Sequence, residues 1–379
     1  MPRMVRSAPR AVLTAGLAAL VVCTVLVTVA ALAFPLGYSP ARPTWPGAPT
    51  LLGWAHFDAG WYAHIATQGY SYTPGQQSPV AFFPLYPLVL RGLGLLHVDT
   101  FLAGMLVTML SGLGALYVFT QWARTRADEE AARDAGLLLA FYPFAFFLYG
   151  AMYSDALFLL LVIGAFLLLE RGQLGLAVLL AAVATAARPV APALVVGLLA
   201  RRLEWKHERG QKWSLVDLLP VFAAAGFVLY VLYQWKAFGE PFAFVKVQSA
   251  PGWDQKPGWR TWAKLRWFQG FSRDMSLSDG LRLVGHAAVT LGALALVWPC
   301  AKRLGWGYGV YTLAIVGLPA MSSKDFMGMG RYLLAAFPLF LTLALLLRER
   351  PRWKWGVLAT SLGLMLALTV AFGAAEYVS

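Results

Sequence analysis

The chain has 379 residues, of which 59% are hydrophobic and 13% are charged, and its formal net charge is +13. A soluble globular domain carries roughly a quarter charged residues, so this composition excludes an ordinary soluble fold. Basic residues beside membrane spans account for the positive charge, and we therefore expect no nucleic-acid partner.

Long apolar segments predict an all-α integral membrane protein of about 10–12 helices that forms one polytopic transmembrane domain over residues 1–379. We expect no signal-peptide cleavage after the first segment, because its roughly 23 residues exceed a signal-peptide core. The predicted spans lie near 11–33, 101–123, 136–150, 153–170, 173–187, 190–200, 215–238, 282–300, 307–320, 331–348 and 355–377.

The distribution of Lys and Arg predicts which connections share a side of the membrane. With the N-terminus inside, most basic clusters fall on the cytoplasmic side, as the positive-inside rule requires. The connections 34–100, 239–281 and 320–331 then lie on the non-cytoplasmic side. We expect a multi-pass protein of the cell membrane whose functional site faces that side.

Asp58 is the candidate catalytic residue of the first outer connection. It stands at or near the start of a predicted short helix, where the helix dipole favours an ionised carboxylate that can accept a proton. The alternative is that Asp58 only caps this helix.

The stretch 81–88 predicts a second short helix along the membrane surface, because its two prolines and short apolar run argue against a full crossing. Arg91, which follows this stretch, is a candidate phosphate contact. The alternative is that its side chain extends to water or lipid headgroups.

Several blocks, in order along the chain, resemble the PIG-V family, relatives of the second mannosyltransferase of GPI-anchor assembly. They are Phe57-Asp58-Ala59-Gly60-Trp61-Tyr62, Gly69-Tyr70, Ala81-Phe82-Phe83-Pro84-Leu85-Tyr86-Pro87, Phe141-Tyr142-Pro143-Phe144-Ala145-Phe146-Phe147, Tyr153-Ser154-Asp155-Ala156-Leu157-Phe158, Ala187-Arg188-Pro189 and Gly330-Arg331-Tyr332. The resemblance covers about residues 54–340. It implies a GT-C fold and transfer of a sugar from a polyprenyl-phosphate carrier, with a carboxylate of the first outer loop as the base.

Asp58 is the residue that matches this carboxylate, and Trp61 and Tyr62 of the same block are predicted to contact substrate. Where the family often has a glutamate after the Tyr-Ser pair, this chain has Asp155. GPI anchors are eukaryotic products, so the resemblance does not specify the acceptor.

Four further charged residues are candidate substrate contacts. Asp155 begins an apolar run, and its alternative role is helix capping with Ser154. Arg188 lies between apolar runs and needs an anionic partner, either a carrier phosphate or Asp155 in a structural ion pair. Lys324 and Arg331 flank a glycine-containing loop and are positioned to hold a departing phosphate, although basic residues are also common at membrane ends.

The connection 239–281 interleaves tryptophans with basic residues, which is typical of the headgroup region and is also compatible with a cover over the carrier headgroup or acceptor sugar. His56 and His64 flank Asp58, but without a nearby cysteine or a second clustered carboxylate we expect no metal site. No Walker-type phosphate loop is present, and no cofactor is predicted.

The resemblance thus implies an inverting mannosyltransferase that uses a polyprenyl-phosphate mannose donor and a glycan or glycolipid acceptor at the membrane. The alternative is a transporter or flippase of a lipid-linked glycan, which composition alone does not separate from an enzyme.

Overall fold

A computed structural model describes residues 7–34, 51–271 and 275–378 of the chain. Within these residues the regular secondary structure is helical, with no β-strand. Residues 35–50 of the predicted first outer connection lie outside the described part.

The α-helices are numbered in chain order. They are α1 (Ala8–Ala33), α2 (Asp58–Gln68), α3 (Leu85–Gly94), α4 (Thr100–Ala123), α5 (Glu129–Ala140), α6 (Asp155–Glu170), α7 (Leu174–Thr185), α8 (Ala191–Glu208), α9 (Ala225–Phe238), α10 (Ala243–Lys246), α11 (Trp259–Trp262), α12 (Leu265–Gln269), α13 (Leu277–Ala295), α14 (Val297–Leu304), α15 (Trp306–Ser322), α16 (Met329–Tyr332), α17 (Pro338–Leu347) and α18 (Pro351–Gly373). Short 3₁₀ helices cover Leu51–Trp54, Pro79–Ala81, Ala145–Leu148, Leu215–Ala224, Val247–Ser249 and Leu333–Ala335.

The core forms around α6, most of whose side chains are buried. Helix α6 packs along α4 and α7, while α8 packs along α15, and α1 contacts α4, α5 and α18. Large apolar side chains on the outside of the bundle are exposed, including Val21, Leu110, Leu179 and Leu229. Such a surface is stable in hydrocarbon, where an exposed apolar side chain carries no cost.

Five helical segments are long and apolar enough to cross a membrane, judged by length and composition within the described residues. They are Ala8–Ala33, Thr100–Ala123, Leu215–Phe238, Asp279–Leu304 and Pro351–Gly373. Each corresponds to a predicted span. The other predicted crossings fall on shorter, bent or more charged helices, so the bundle mixes full spans with partial ones.

The predicted span 136–150 is wrong. Helix α5 ends at Ala140, and Pro143 follows, which lacks a backbone N–H and disfavours helical geometry in the residue before it. The chain then forms the 3₁₀ helix Ala145–Leu148, whose side chains are fully buried. This apolar run is therefore packed core rather than a crossing.

The predicted span 331–348 is not one straight helix. The segments Met329–Ala335 and Pro338–Leu347 meet at an angle of 88°. The bend brings Arg331, on the first segment, to the end of the bundle where α6 begins. The break therefore supplies a charged side chain to that end.

Two ionic clusters lie at opposite ends of α6, about 22 Å apart along its axis at 1.5 Å per residue. At the C-terminal end, Glu170 pairs with buried Arg201 at 2.6 Å and with Arg126 at 3.7 Å. Both arginines belong to the basic set predicted to share the cytoplasmic side. Asp155 begins the opposite end.

The C-terminal segment returns to the Asp155 end of the bundle. The ring of Phe372, near the end of α18, lies 6.3 Å from that of Tyr153. Just beyond α18, the ring of Tyr377 lies 5.1 Å from that of Phe57. Helix α18 therefore ends beside the residues that precede Asp58.

A close contact between α4 and the buried 3₁₀ helix makes a sharp test of this packing. A Cβ atom at Gly112 would lie 2.0 Å from the backbone oxygen of Leu148, so we expect Gly112→Ala to destabilise the protein by about 1–3 kcal/mol. Gly114→Ala on the same helix meets only the Leu160 side chain at 3.4 Å, and should be neutral or slightly stabilising. Thermal unfolding in detergent compares the two, and equal stability would contradict the contact.

Candidate active site

Asp58 is the first residue of α2, and the turn that presents it is strained. Phe57, which precedes it, has φ of +54°, a value uncommon for a residue other than glycine. The turn is held by Tyr153, whose hydroxyl accepts a hydrogen bond from the Asp58 amide at 3.2 Å and donates to the His56 carbonyl at 3.3 Å. The start of α6 thus fixes where Asp58 points.

The Asp58 carboxylate does not make the capping hydrogen bond of the alternative interpretation. Its Oδ2 accepts from Nη1 of Arg331 at 3.0 Å. Among the described residues its Oδ1 has no hydrogen-bond partner, and the side chain is 28% exposed. One oxygen is therefore paired and the other is open to a ligand.

Four charged side chains form a continuous row. Arg331 lies between Asp58 and Asp155, with its Nε 3.9 Å from Oδ2 of Asp155, and Asp155 in turn accepts a hydrogen bond from Arg188. Asp155 is 3% exposed and Arg331 is 7% exposed. The two negative charges of the carboxylates offset the two positive charges of the guanidiniums, and charged side chains are buried only when they are paired in this way.

Arg188 thus has the partner that its burial requires, and that partner is Asp155. Ser154 does not cap α6 with its side chain, because its hydroxyl pairs with that of Tyr62 at 2.9 Å. The alternative interpretation, in which Ser154 caps α6, therefore does not hold for its side chain.

Aromatic rings enclose the Arg331 guanidinium. Its central carbon lies 4.7 Å from the ring centre of Tyr153, 5.2 Å from that of Tyr332 and 5.3 Å from that of Phe147. Its Nε is buried without a hydrogen-bond partner among the described residues. A buried charged donor without a hydrogen bond is rare in proteins, and the group that faces this one is Oδ2 of Asp155 at 3.9 Å.

Tyr62 lines this cluster, one turn after Asp58. Burial, reinforced by the charge of Asp58, raises the pKa of the Tyr62 phenol well above its ordinary value, so the hydroxyl stays protonated. Trp61 stacks on Phe82 with ring centres 5.7 Å apart, and Trp253 lies 5.9 Å from it. The connections 34–100 and 239–281 therefore meet beside the cluster.

Arg91 lies outside this group of contacts. It is exposed on α3 and lines a cavity of about 480 Å³ with the C-terminal end of α2 and the start of α4. None of the four charged residues of the row lines this cavity. The structure thus does not bring Arg91 together with Asp58.

Lys324 joins the connections 239–281 and 320–331 to each other and does not take part in the row. Its Nζ donates to the carbonyl of Trp253 at 3.0 Å, and its amide donates to Oε1 of Gln255 at 2.8 Å. Nearby, the amine of Lys264 donates to the carbonyls of Ala320 and Ser323. The two lysines fasten connection 239–281 to connection 320–331.

Three residues of this region were not identified from the sequence as site residues. They are Tyr153, which holds the Asp58 turn, and His286 and Tyr142, which contact the backbone of Gly330. The only signal was the position of the two tyrosines inside family-like blocks.

Residues 48–203 match the model of the PIG-V mannosyltransferase family. This match confirms the resemblance over the segment that contains Asp58, Asp155 and Arg188. Arg331 lies beyond it. No curated protein matches the chain.

Among solved structures, the chain is similar to ArnT from Cupriavidus metallidurans bound to undecaprenyl phosphate, with a TM-score of 0.52 and 16% identity over 93% of this chain. The chain spans 63% of the length of that protein. The apo oligosaccharyltransferase of Archaeoglobus fulgidus matches with a TM-score of 0.45 and 12% identity, over 96% of this chain and 56% of its own. The ArnT similarity confirms a GT-C-like helical membrane fold.

Neutralising Asp155 should lower the stability of the protein, because it leaves a charge of the row without its partner. Asp155→Asn leaves Arg188 without its carboxylate, and we expect a loss of about 3–5 kcal/mol of stability. Glu240→Gln removes one partner of an ion pair at the surface and should change stability little. Thermal unfolding in detergent measures both, and equal effects would show that the row is not buried.

The Lys264 contact predicts a pH dependence. Burial lowers the pKa of Lys264 from 10.5 to about 8. Between pH 8 and 10.5 the unfolded chain therefore binds more protons at this group than the folded chain, so its contribution to stability rises with pH. The melting temperature of wild type minus that of Lys264→Met should increase from pH 8 to pH 10.

The exposed Lys256 of the same connection serves as the control. For Lys256→Met the difference from wild type should stay flat over this range. A flat difference for Lys264→Met as well would contradict the burial of the Lys264 amine.

Proposed function

We propose that this chain, whose residues 48–203 match the PIG-V mannosyltransferase family, transfers mannose from a polyprenyl-phosphate carrier to a hydroxyl of a lipid-linked or surface acceptor. The reaction takes place on the non-cytoplasmic side and inverts the anomeric configuration. Asp58 is the base, and the carrier phosphate binds at Arg331.

One observation carries this proposal. A half-open carboxylate is paired with a buried guanidinium whose Nε donor has no hydrogen-bond partner in the described part of the chain. A base and an anion-binding group are thereby adjacent at one end of the bundle. This is the pair of groups that glycosyl transfer from a phosphate requires.

Asp58 and Arg331 must separate for the reaction to proceed. A carboxylate held by arginine is a weaker base, because the pairing stabilises its ionised form. A donor phosphate competes with Asp58 for the Arg331 guanidinium, because phosphate can accept two parallel hydrogen bonds from it whereas Asp58 accepts one. Donor binding thus frees the Asp58 carboxylate for the acceptor hydroxyl.

The bond changes follow from these two roles. The acceptor oxygen attacks the anomeric carbon opposite the phosphate, and its proton passes to Asp58. The bond from the anomeric carbon to the phosphate oxygen breaks, and its electron pair stays on the phosphate. The added negative charge on the leaving phosphate faces Arg331, and an anion of this kind leaves without protonation.

The position of the row along α6 supports the proposed side of the membrane. Asp155 is at one end of this helix, while the basic residues around Glu170 are at the other. Under the positive-inside rule the Glu170 end faces the cytoplasm, so Asp58 faces away from it.

The same placement favours chemistry over transport. A transporter places its polar groups near the membrane midplane, whereas the interior of α6 between Asp155 and Glu170 has no charged residue.

Asp58→Asn tests the base. We expect transfer of labelled mannose from polyprenyl-phosphate mannose to fall by about 10²–10⁴-fold, because a neutral amide does not accept the proton. Binding of the carrier should persist, since Arg331 remains. Rate and carrier binding are measured with purified protein and a panel of hydroxyl acceptors.

Asp254→Asn is the matched control, because Asp254 lies in connection 239–281 outside the row, and it should keep wild-type activity. Undiminished transfer by Asp58→Asn would exclude Asp58 as base. Wild-type protein that moves the carrier across liposomes but leaves all label on it would favour the flippase instead.

A further inference from the structure

The residue before Arg331, Gly330, is held at its backbone amide and at its backbone carbonyl by two side chains distant in sequence. The amide of Gly330 donates to Nδ1 of His286, on α13, at 3.1 Å. The carbonyl of Gly330 accepts from the hydroxyl of Tyr142 at 2.9 Å. The backbone directly before Arg331 is therefore fixed at its donor and at its acceptor.

A third contact closes the remaining space. A Cβ atom at Gly330 would lie 2.2 Å from two ring carbons of Phe144, so only glycine fits without movement. The Phe144 ring in turn lies 5.5 Å from that of His286. Gly330 is thus enclosed by His286, Tyr142 and Phe144.

The guanidinium of Arg331 is held less firmly than its backbone. Its described hydrogen bond is the one from Nη1 to Asp58, while Nε has no hydrogen-bond partner among the described residues and lies 3.9 Å from Oδ2 of Asp155. In the proposed reaction the hydrogen bond to Asp58 is exchanged for the carrier phosphate. During that exchange the backbone, the aromatic walls and the charge of Asp155 keep the guanidinium in place.

We propose that His286 and Tyr142 act as positioning residues. By holding the backbone of Gly330, they place the Arg331 guanidinium where it binds the carrier phosphate. The inference rests on the proposed function. It requires neutral His286 with its proton on Nε2, because an imidazolium ring has no acceptor nitrogen. Misplacement of a catalytic group by about 1 Å costs on the order of 10²-fold in rate, so a clamp of this kind matters for turnover.

Two substitutions at His286 separate the hydrogen bond from the volume of the side chain. Asn places an amide oxygen near the position of Nδ1 and keeps the acceptor, whereas Leu has similar size and no acceptor. For His286→Leu we expect kcat to fall by about 10–100-fold. His286→Asn should recover to within about threefold of wild type, with the melting temperatures of both variants measured alongside.

A double-mutant cycle shows whether His286 works through Arg331. The Arg331→Lys variant carries an amine that cannot match the guanidinium geometry. In this variant the loss of kcat caused by adding His286→Leu should shrink to about twofold or less. The same loss in both backgrounds would overturn the proposal, because it would reveal a general structural role. If His286→Leu does not fold, Tyr142→Phe, which removes a single hydroxyl, replaces it in the double-mutant cycle with Arg331→Lys.

Binding of unglycosylated polyprenyl phosphate separates failure of the clamp from failure of the proposed transfer. If wild-type protein transfers no sugar to any acceptor, the proposed function fails, and the clamp is judged by the dissociation constant for the carrier. That constant should rise at least tenfold in His286→Leu and return towards wild type in His286→Asn. Equal affinity and equal turnover in wild type, Leu and Asn would overturn the clamp.

Discussion

The mutual neutralisation of four charges, two of them almost fully buried, determines how the functional end of this bundle is built. Asp155 and Arg331 are almost fully buried, and such charges persist only where their partners are close. The partners come from four separate parts of the chain: the start of α2, the start of α6, the turn before α8 and the bent segment at α16. Each of these breaks in regular structure places one charged side chain in the row.

The apolar pattern predicted the long helices well and failed where the apolar run was not a helix. Helices α1, α4 and α18 agree with their predicted spans within a few residues, because an uninterrupted apolar run of about 20 residues has few other solutions in a membrane protein. The run 136–150 is also apolar, yet its helix ends at Ala140 and the residues after Pro143 form a buried 3₁₀ turn. An apolar composition indicates burial for a membrane-spanning helix and for a packed turn alike. Pro143 was the sequence signal that distinguished this turn from a helix.

For the site, the cost of burying charge drew attention to Asp155 and Arg188, and the helix-start position drew attention to Asp58. Arg331 and Lys324 were proposed together because they flank a glycine-containing loop, and Arg91 because it lies near a surface helix. The structure places Arg91 and Lys324 away from the row, since a cation near the interface has water and loop carbonyls as partners. His286 and Tyr142 escaped detection since they bind a peptide backbone far away in sequence. Such contacts leave no pattern of spacing or charge.

The packing of the C-terminal segment against Phe57 has a practical meaning for anyone who labels or immobilises this protein. Tyr377 contacts the residue directly before Asp58, so a fusion partner or affinity tag attached beyond Val378 begins within a few residues of that turn. The start of α1, which hydrogen-bonds through Ala8 to Glu129, is at the far end of the bundle. Handles for purification, surface capture or fluorescence therefore belong at the N-terminal side.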